Sequence, residues 1–263
     1  MENEQKEMSA IIGVIGGVGP QAGLDFVQKI FSNTTALRDQ DHLNCMLISC
    51  PSIIPDRTAF LLQGKPEKIE NPALGMFESA RRLYMAGVRT AAVACNTAHA
   101  NRIFDPFCAM IQKELPGFTI VNMLETCANY VKDTLHIKRL GLLATIGTHK
   151  SNVYHEYLKP EDGFALIEPD ASGQEKIHDA IFNEEYGIKA HSQNITSVAA
   201  EVIKQEISAL ITRGAEAIIL GCTELPLAVK GETFPVPVID PGLITARKLI
   251  GLTAPEKLSA SLN

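Results

Sequence analysis

Four pairs of residues recur at a nearly constant interval along this 263-residue chain. Gly13 and Gly141, Gly19 and Gly147, Gly87 and Gly214, and Cys95 and Cys222 each stand 127 or 128 positions apart. In both halves a glycine that closes a helical pattern precedes the cysteine by eight residues. Landmarks held in phase over half a chain imply an internal duplication, and hence two similar lobes. Short apolar, β-branched runs at 11–15, 44–49, 90–94 and 119–123 read as strands in the first half. Runs at 139–143, 164–167, 217–220 and 236–239 repeat them in the second. Helical spacing lies between, at 21–31, 97–114 and 196–213, and at 72–85 with Asn71 as cap and Pro72 in the first turn. Strands alternating with helices give parallel sheets with right-handed crossovers. The expected fold is therefore α/β, with two pseudo-symmetric domains, each a roughly four-stranded parallel sheet flanked by helices. Residues 52–71 carry no clear period and read as irregular.

Composition narrows the function classes. The net charge of −6 and pI near 5.7 leave no basic stripe for nucleic acid, and basic residues cluster no more densely than in pairs such as Lys138-Arg139. No apolar run approaches the ~20 residues of a membrane span. Residues 1–9 are polar, without the apolar core of a signal peptide, so a cytoplasmic protein with a frayed N-terminal tail is expected. The six cysteines are then reduced thiols. None stands in the Cys-x2-Cys spacing of zinc sites, so no metal is expected. Cys45, Cys50, Cys108 and Cys127 read as small buried hydrophobes.

Cys95 and Cys222 differ from these because both lie where a strand pattern gives way to a helical one. Ligands of open parallel sheets bind beyond the carboxyl ends of the strands, and helix N-terminal amides there favour a thiolate. Two facing lobes would put one thiol on each wall of the cleft between them. One thiolate can then take a proton from one face of a carbon while the other thiol delivers one to the opposite face, inverting the centre. His99, four residues after Cys95, is either a base for that thiol or a structural histidine, and the second half has no counterpart to it. Residues 17–22 fit the dinucleotide fingerprint G-x-G-x-x-A. The acidic residue expected after the second strand is missing, and Pro20 removes an amide from a phosphate cradle. No dinucleotide is expected.

Six motifs, GGVGPQAG, IPDRT, ACNTAH, LLATIGT, YGIKA and GCTELPL, together resemble the aspartate/glutamate racemase superfamily over nearly the whole chain, its aspartate racemase branch above all. The resemblance implies a racemase that needs neither pyridoxal phosphate nor metal, works on a small acidic amino acid and often assembles as a homodimer. Aspartate leads, with glutamate or a broad range as options. Cys95 and Cys222 would be the acid/base pair in the inter-domain cleft. Arg57 and Lys189 would bind carboxylates, with Thr58, Asn96, Thr97 and Thr223 completing the substrate site. Taken alone, Arg57 reads as a surface ion-pair partner and Lys189 as a solvated lysine. The chain would cross between lobes, giving one domain of 1–112 plus 237–263 and another of 113–236. Val18 replaces the methionine of many members. Glu224 stands where glutamate racemases carry histidine, which favours the aspartate type. Two other readings stand beside it: a two-cysteine dicarboxylate isomerase or lyase of the maleate isomerase kind, and a binding protein that no longer turns over.

Overall fold

The computed structural model describes residues 10–64 and 68–260, so the N-terminal stretch read as a frayed tail lies outside the described residues. The first lobe comprises β1 (Ile11–Gly16), α1 (Pro20–Ser32), β2 (Asn44–Ser49), α2 (Arg57–Leu62), α3 (Pro72–Met85), β3 (Thr90–Val93), α4 (Asn101–Glu114) and β4 (Thr119–Val121). After α5 (Met123–Tyr130), the second lobe runs through β5 (Arg139–Ala144), α6 (Ile146–Lys150), β6 (Ala165–Ile167) and α7 (Ala171–Phe182). It continues through α8 (Ser197–Thr212), β7 (Ala217–Gly221), α9 (Leu225–Ala228) and β8 (Val238–Ile239), with α10 (Pro241–Thr253) last. Both sheets are four-stranded and wholly parallel. Their orders, β2-β1-β3-β4 and β6-β5-β7-β8, are the same order repeated.

Packing explains why the duplicated glycines survive. A Cβ on Gly13 would lie 2.7 Å from Val88 and 3.1 Å from Leu83, where α3 presses on β1. On Gly141 it would lie 2.5 Å from Ile218 and 3.1 Å from Leu210, where α8 presses on β5. Leu83 and Leu210 are equivalent residues, both fully buried, and each such leucine contributes about 1.5–3 kcal/mol by leaving water. Gly87 (φ 95°) and Gly214 (φ 91°) end these helices in the left-handed conformation. Val88 N–H reaches back to Leu83 O, and Ala215 N–H to Leu210 O, both at 3.0 Å. The duplication thus extends to individual backbone hydrogen bonds.

Several elements depart from the sequence reading, among them α5 and α10, which were not read as helices. Within the stretch read as irregular, Asp56 accepts a 2.7 Å bond from Ala59 N–H and starts α2. The helix read over 97–114 is broken. A single 3-10 turn, Thr97–His99, is followed by extended backbone at Ala100 (ψ 135°) before α4 begins. Helix α7 was not read either, since its buried face is only Gly173, Ile177, Ala180 and Ile181, too short an apolar stripe to stand out.

The lobes are joined through helices. Leu124, Cys127 and Ala128 of α5 pack into the core of the second lobe, while Met123 packs with Phe26, Leu249 and Ile250 of the first-lobe core. Asp240 caps α10 and pairs with Lys29 of α1 at 2.6 Å. Lys29 also pairs with Asp25, and these two carboxylates keep its ammonium above the ordinary lysine value although burial works against the charge. Among the described residues no helix is long and apolar enough to cross a membrane.

Candidate active site

The carboxyl ends of the two sheets face one another, and the loops leaving them build one enclosed site. Its walls include Val18, Arg57, Thr58, Cys95 and Thr97 from the first lobe, and Thr145, Phe182, Lys189, Cys222 and Glu224 from the second. The space enclosed is about 10 Å³, enough for a single water. Larger surface grooves exist, such as one of about 780 Å³ between α5 and α10, but that one contains neither thiol of the pair.

The residue two places after each cysteine reaches across to the turn that opens the other lobe. Thr97 places its hydroxyl 2.8 Å from that of Thr148 and 3.1 Å from that of Thr145. Glu224, at the equivalent place after Cys222, lies against Gly19, where a Cβ would fall 2.2 Å from its carboxylate. Gly147, the equivalent of Gly19, lies against Thr58, where a Cβ would fall 2.7 Å from the hydroxyl. Thr223 donates to the carbonyl of Ala94 at 3.2 Å, and Tyr154 donates to Asn96 Oδ1 at 2.6 Å. The lobes are therefore closed on each other by short polar contacts around the thiols.

The two cysteines have opposite surroundings. Arg57 is buried beside Cys95; one of its nitrogens donates to Val18 O and another to Pro55 O at 3.3 Å. Burial works against the guanidinium's charge, but Cys95, Asp56 and Glu224 outweigh it. Among the described residues its Nε has no hydrogen-bond partner, and neither does Asn96 Nδ2. A buried donor without a partner costs about 1–3 kcal/mol, so these two nitrogens are suited to receive an anion. Cys222 instead donates its S–H to Glu224 Oε2 at 3.0 Å, while Lys189 Nζ donates to Glu224 Oε1 at 2.6 Å. Burial first, and the carboxylate second, push the Cys222 thiol well above its ordinary range against the pull of Lys189. Burial also opposes the charge on Glu224, yet Lys189 and the bond from Cys222 hold its carboxyl below the usual range. Cys222 is accordingly a protonated thiol beside an ionised carboxylate.

Helix amides do not supply this electrostatics, contrary to the expectation from sequence. Cys95 is followed by the isolated 3-10 turn and Cys222 by a helix of only four residues. Side-chain charges from each cysteine's own lobe, Arg57 at Cys95 and Glu224 with Lys189 at Cys222, act in their place.

The structure brings Arg57, Thr58, Cys95, Thr97, Lys189 and Cys222 to the cavity. Asn96 and Thr223 stand immediately behind it, their side-chain oxygens engaged with Tyr154 and Ala94. Val18, Thr145 and Phe182 went unassigned from sequence; Thr145 and Val18 lie in motifs already noted, whereas nothing local marks Phe182. Glu224, known from its motif but without a role, proves to be the residue that touches both Cys222 and Lys189.

His99 is settled as structural. Its Nε2 accepts from Met123 N–H at 3.3 Å, so Nδ1 carries the proton and donates to Cys95 O at 2.8 Å. The ring holds the Cys95 backbone rather than its sulfur. Burial lowers its pKa from 6.5 to about 4 against the raising effect of the backbone bonds. The unfolded chain binds this proton first as pH falls, so the stabilisation is complete above pH ~6.5 and is lost on going down toward pH 4. That window corresponds to about 3 kcal/mol. Denaturant unfolding at pH 7 and pH 4 should show His99→Gln losing about 3 kcal/mol less than the parent over the interval. Equal losses would contradict the neutral, buried assignment.

Comparison with known proteins gives a consistent picture. A family model described as Asp/Glu/Hydantoin racemase matches residues 15–249. The broad specificity amino-acid racemase RacX of Bacillus subtilis (strain 168) is 26% identical over 252 residues, spanning 91% of this chain and 96% of that one. Aspartate racemase from Picrophilus torridus superposes with a TM-score of 0.76 at 29% identity, covering 93% of this chain and 94% of the other. An aspartate racemase homologue from Pyrococcus horikoshii OT3 gives 0.68 at 26% identity, covering 92% and 98%.

Proposed function

The chain belongs to the Asp/Glu/Hydantoin racemase family and is an isomerase of that kind, and from this premise we propose that it inverts the α-carbon of an acidic amino acid, aspartate foremost, between the thiols of Cys95 and Cys222. The observation that carries the reading is the pairing of two buried cysteines from opposite lobes in one small cavity with a cation on each wall. Arg57 offers the planar, two-pronged donor set that suits a carboxylate, and Lys189 a point charge for a second one. Asn96, Thr97, Thr58 and Thr223 hold the α-carboxylate end through amides and hydroxyls. Thiolate at Cys95 removes the α-proton of one enantiomer and Cys222 delivers its own to the opposite face; the other enantiomer runs the sequence in reverse. Excluding water strengthens every charge in the site. An amino acid does not fit in 10 Å³, so the lobes part to admit it and close for reaction. No cofactor or metal enters this scheme, and a homodimer is its expected assembly.

The test is incubation of L- and D-aspartate, glutamate and neutral amino acids in D2O, read by chiral chromatography and by loss of the α-proton signal. Inversion of aspartate with one deuterium gained at the α-carbon supports the reading. A changed carbon skeleton or double-bond geometry would point instead to an isomerase or lyase. Binding without exchange would reduce the protein to a receptor.

A further inference from the structure

The duplication gave the two cysteines the same topology but unlike partners. Position +2 after Cys95 is Thr97, a neutral hydroxyl held by Thr145 and Thr148. Position +2 after Cys222 is Glu224, buried and ionisable, with one oxygen on the Cys222 thiol and the other on Lys189. The groups facing Glu224 are Lys189, the Cys222 and Thr223 side chains, the more distant Arg57 charge and the Gly19 backbone. Of the groups directly bonded to Glu224, Lys189 is the cation, and it also lines the cavity. Its side chain is a quarter exposed and its ammonium stands 5.3 Å from the ring of Phe182, and only one of its three N–H bonds is taken by Glu224.

Resting on the racemase reading above, we infer that Glu224 and Lys189 form a lock on Cys222 that an acidic substrate side chain opens. A substrate carboxylate docking on Lys189 shares the ammonium charge with Glu224 and adds a second anion beside it. Both effects favour protonation of Glu224, and both are large where water is excluded. The Cys222 proton then moves along the existing 3.0 Å contact to Oε2. One S–H bond breaks, one O–H bond forms, and the site's net charge is unchanged. Cys222 becomes the thiolate that takes the α-proton of the enantiomer presented to it, while Cys95, protonated from solvent, supplies the opposite face. Glu224 afterwards returns its proton to solvent, so the cycle balances. A neutral side chain leaves Lys189 on Glu224 and Cys222 protonated. Glu224 is thus a positioning residue whose effect depends on the substrate's charge.

Aspartate against its neutral isostere asparagine tests this directly, with kcat and KM measured separately for the parent, Glu224→Gln and Lys189→Met, and thermal melting checking that each variant folds. The parent should favour aspartate in kcat. In Glu224→Gln that preference should collapse by about 10²-fold, the range of a lost proton acceptor, while KM for aspartate falls because Lys189 is released. In Lys189→Met the lock is permanently open, so kcat for asparagine should rise above the parent's. An unchanged aspartate-to-asparagine kcat ratio in Glu224→Gln, or no gain on asparagine in Lys189→Met, overturns the lock while leaving the racemase reading intact. A parent that inverts neither amino acid fails the racemase reading itself.

Discussion

Cys95→Ala and Cys222→Ala should each lose inversion of aspartate by about 10³–10⁴-fold in kcat/KM, the upper range for removing a positioned acid or base. Each wall of the cavity carries one such thiol, and both are 7% exposed or less. Each variant also keeps one functional thiol, so each should still exchange the α-proton of a single enantiomer with solvent, with retention. The enantiomer should be opposite for the two variants, because the remaining thiols face opposite sides of the carbon. Chiral chromatography reads the inversion and proton NMR in D2O reads the exchange. A variant that inverts at a tenth of the parent rate or faster removes its cysteine from the chemistry.

Arg57→Ala should cost about 10²–10³-fold in kcat/KM. The change strips a buried, planar cation from the cavity wall beside Cys95, and truncating one partner of a buried, hydrogen-bonded charge pair costs binding about 2–5 kcal/mol. Because the two enantiomers are equal in energy, kcat/KM must fall equally in both directions, even where kcat and KM shift unequally. Arg57→Lys should recover only a small part, since an ammonium lacks the planar fork. Steady-state kinetics from both enantiomers decides it; a Lys variant at parental efficiency would make Arg57 a mere point charge.

How much of this was readable in advance follows a physical boundary. Features fixed by local backbone chemistry were legible. Gly13 and Gly141 occur where a helix presses on a strand, Gly87 and Gly214 where the chain turns left-handed, and Asn71 where a helix needs a cap. Their even spacing exposed the duplication, and the duplication brought the two cysteines into register. Features that depend on residues distant in the chain were not legible. The helix expected after Cys95 breaks at Ala100, where His99 instead binds Cys95 O and Met123 N. No periodicity marks Phe182 as a wall of the cavity. Glu224 resembles any acidic residue at a helix start until Lys189, 35 positions earlier, is seen at 2.6 Å. Arg57 read as a surface charge because nothing in Pro-Asp-Arg-Thr states that it is buried.

The central claim is that two thiols act on opposite faces of one carbon, and the isotope pattern at early conversion of L-aspartate in D2O addresses it most directly. Two bases predict D-aspartate carrying a single deuterium at the α-carbon while the unconverted L-aspartate is still unlabelled. Deuterium appearing in recovered L-aspartate as fast as in the D-product would mean that one group serves both faces, and would contradict the paired roles of Cys95 and Cys222.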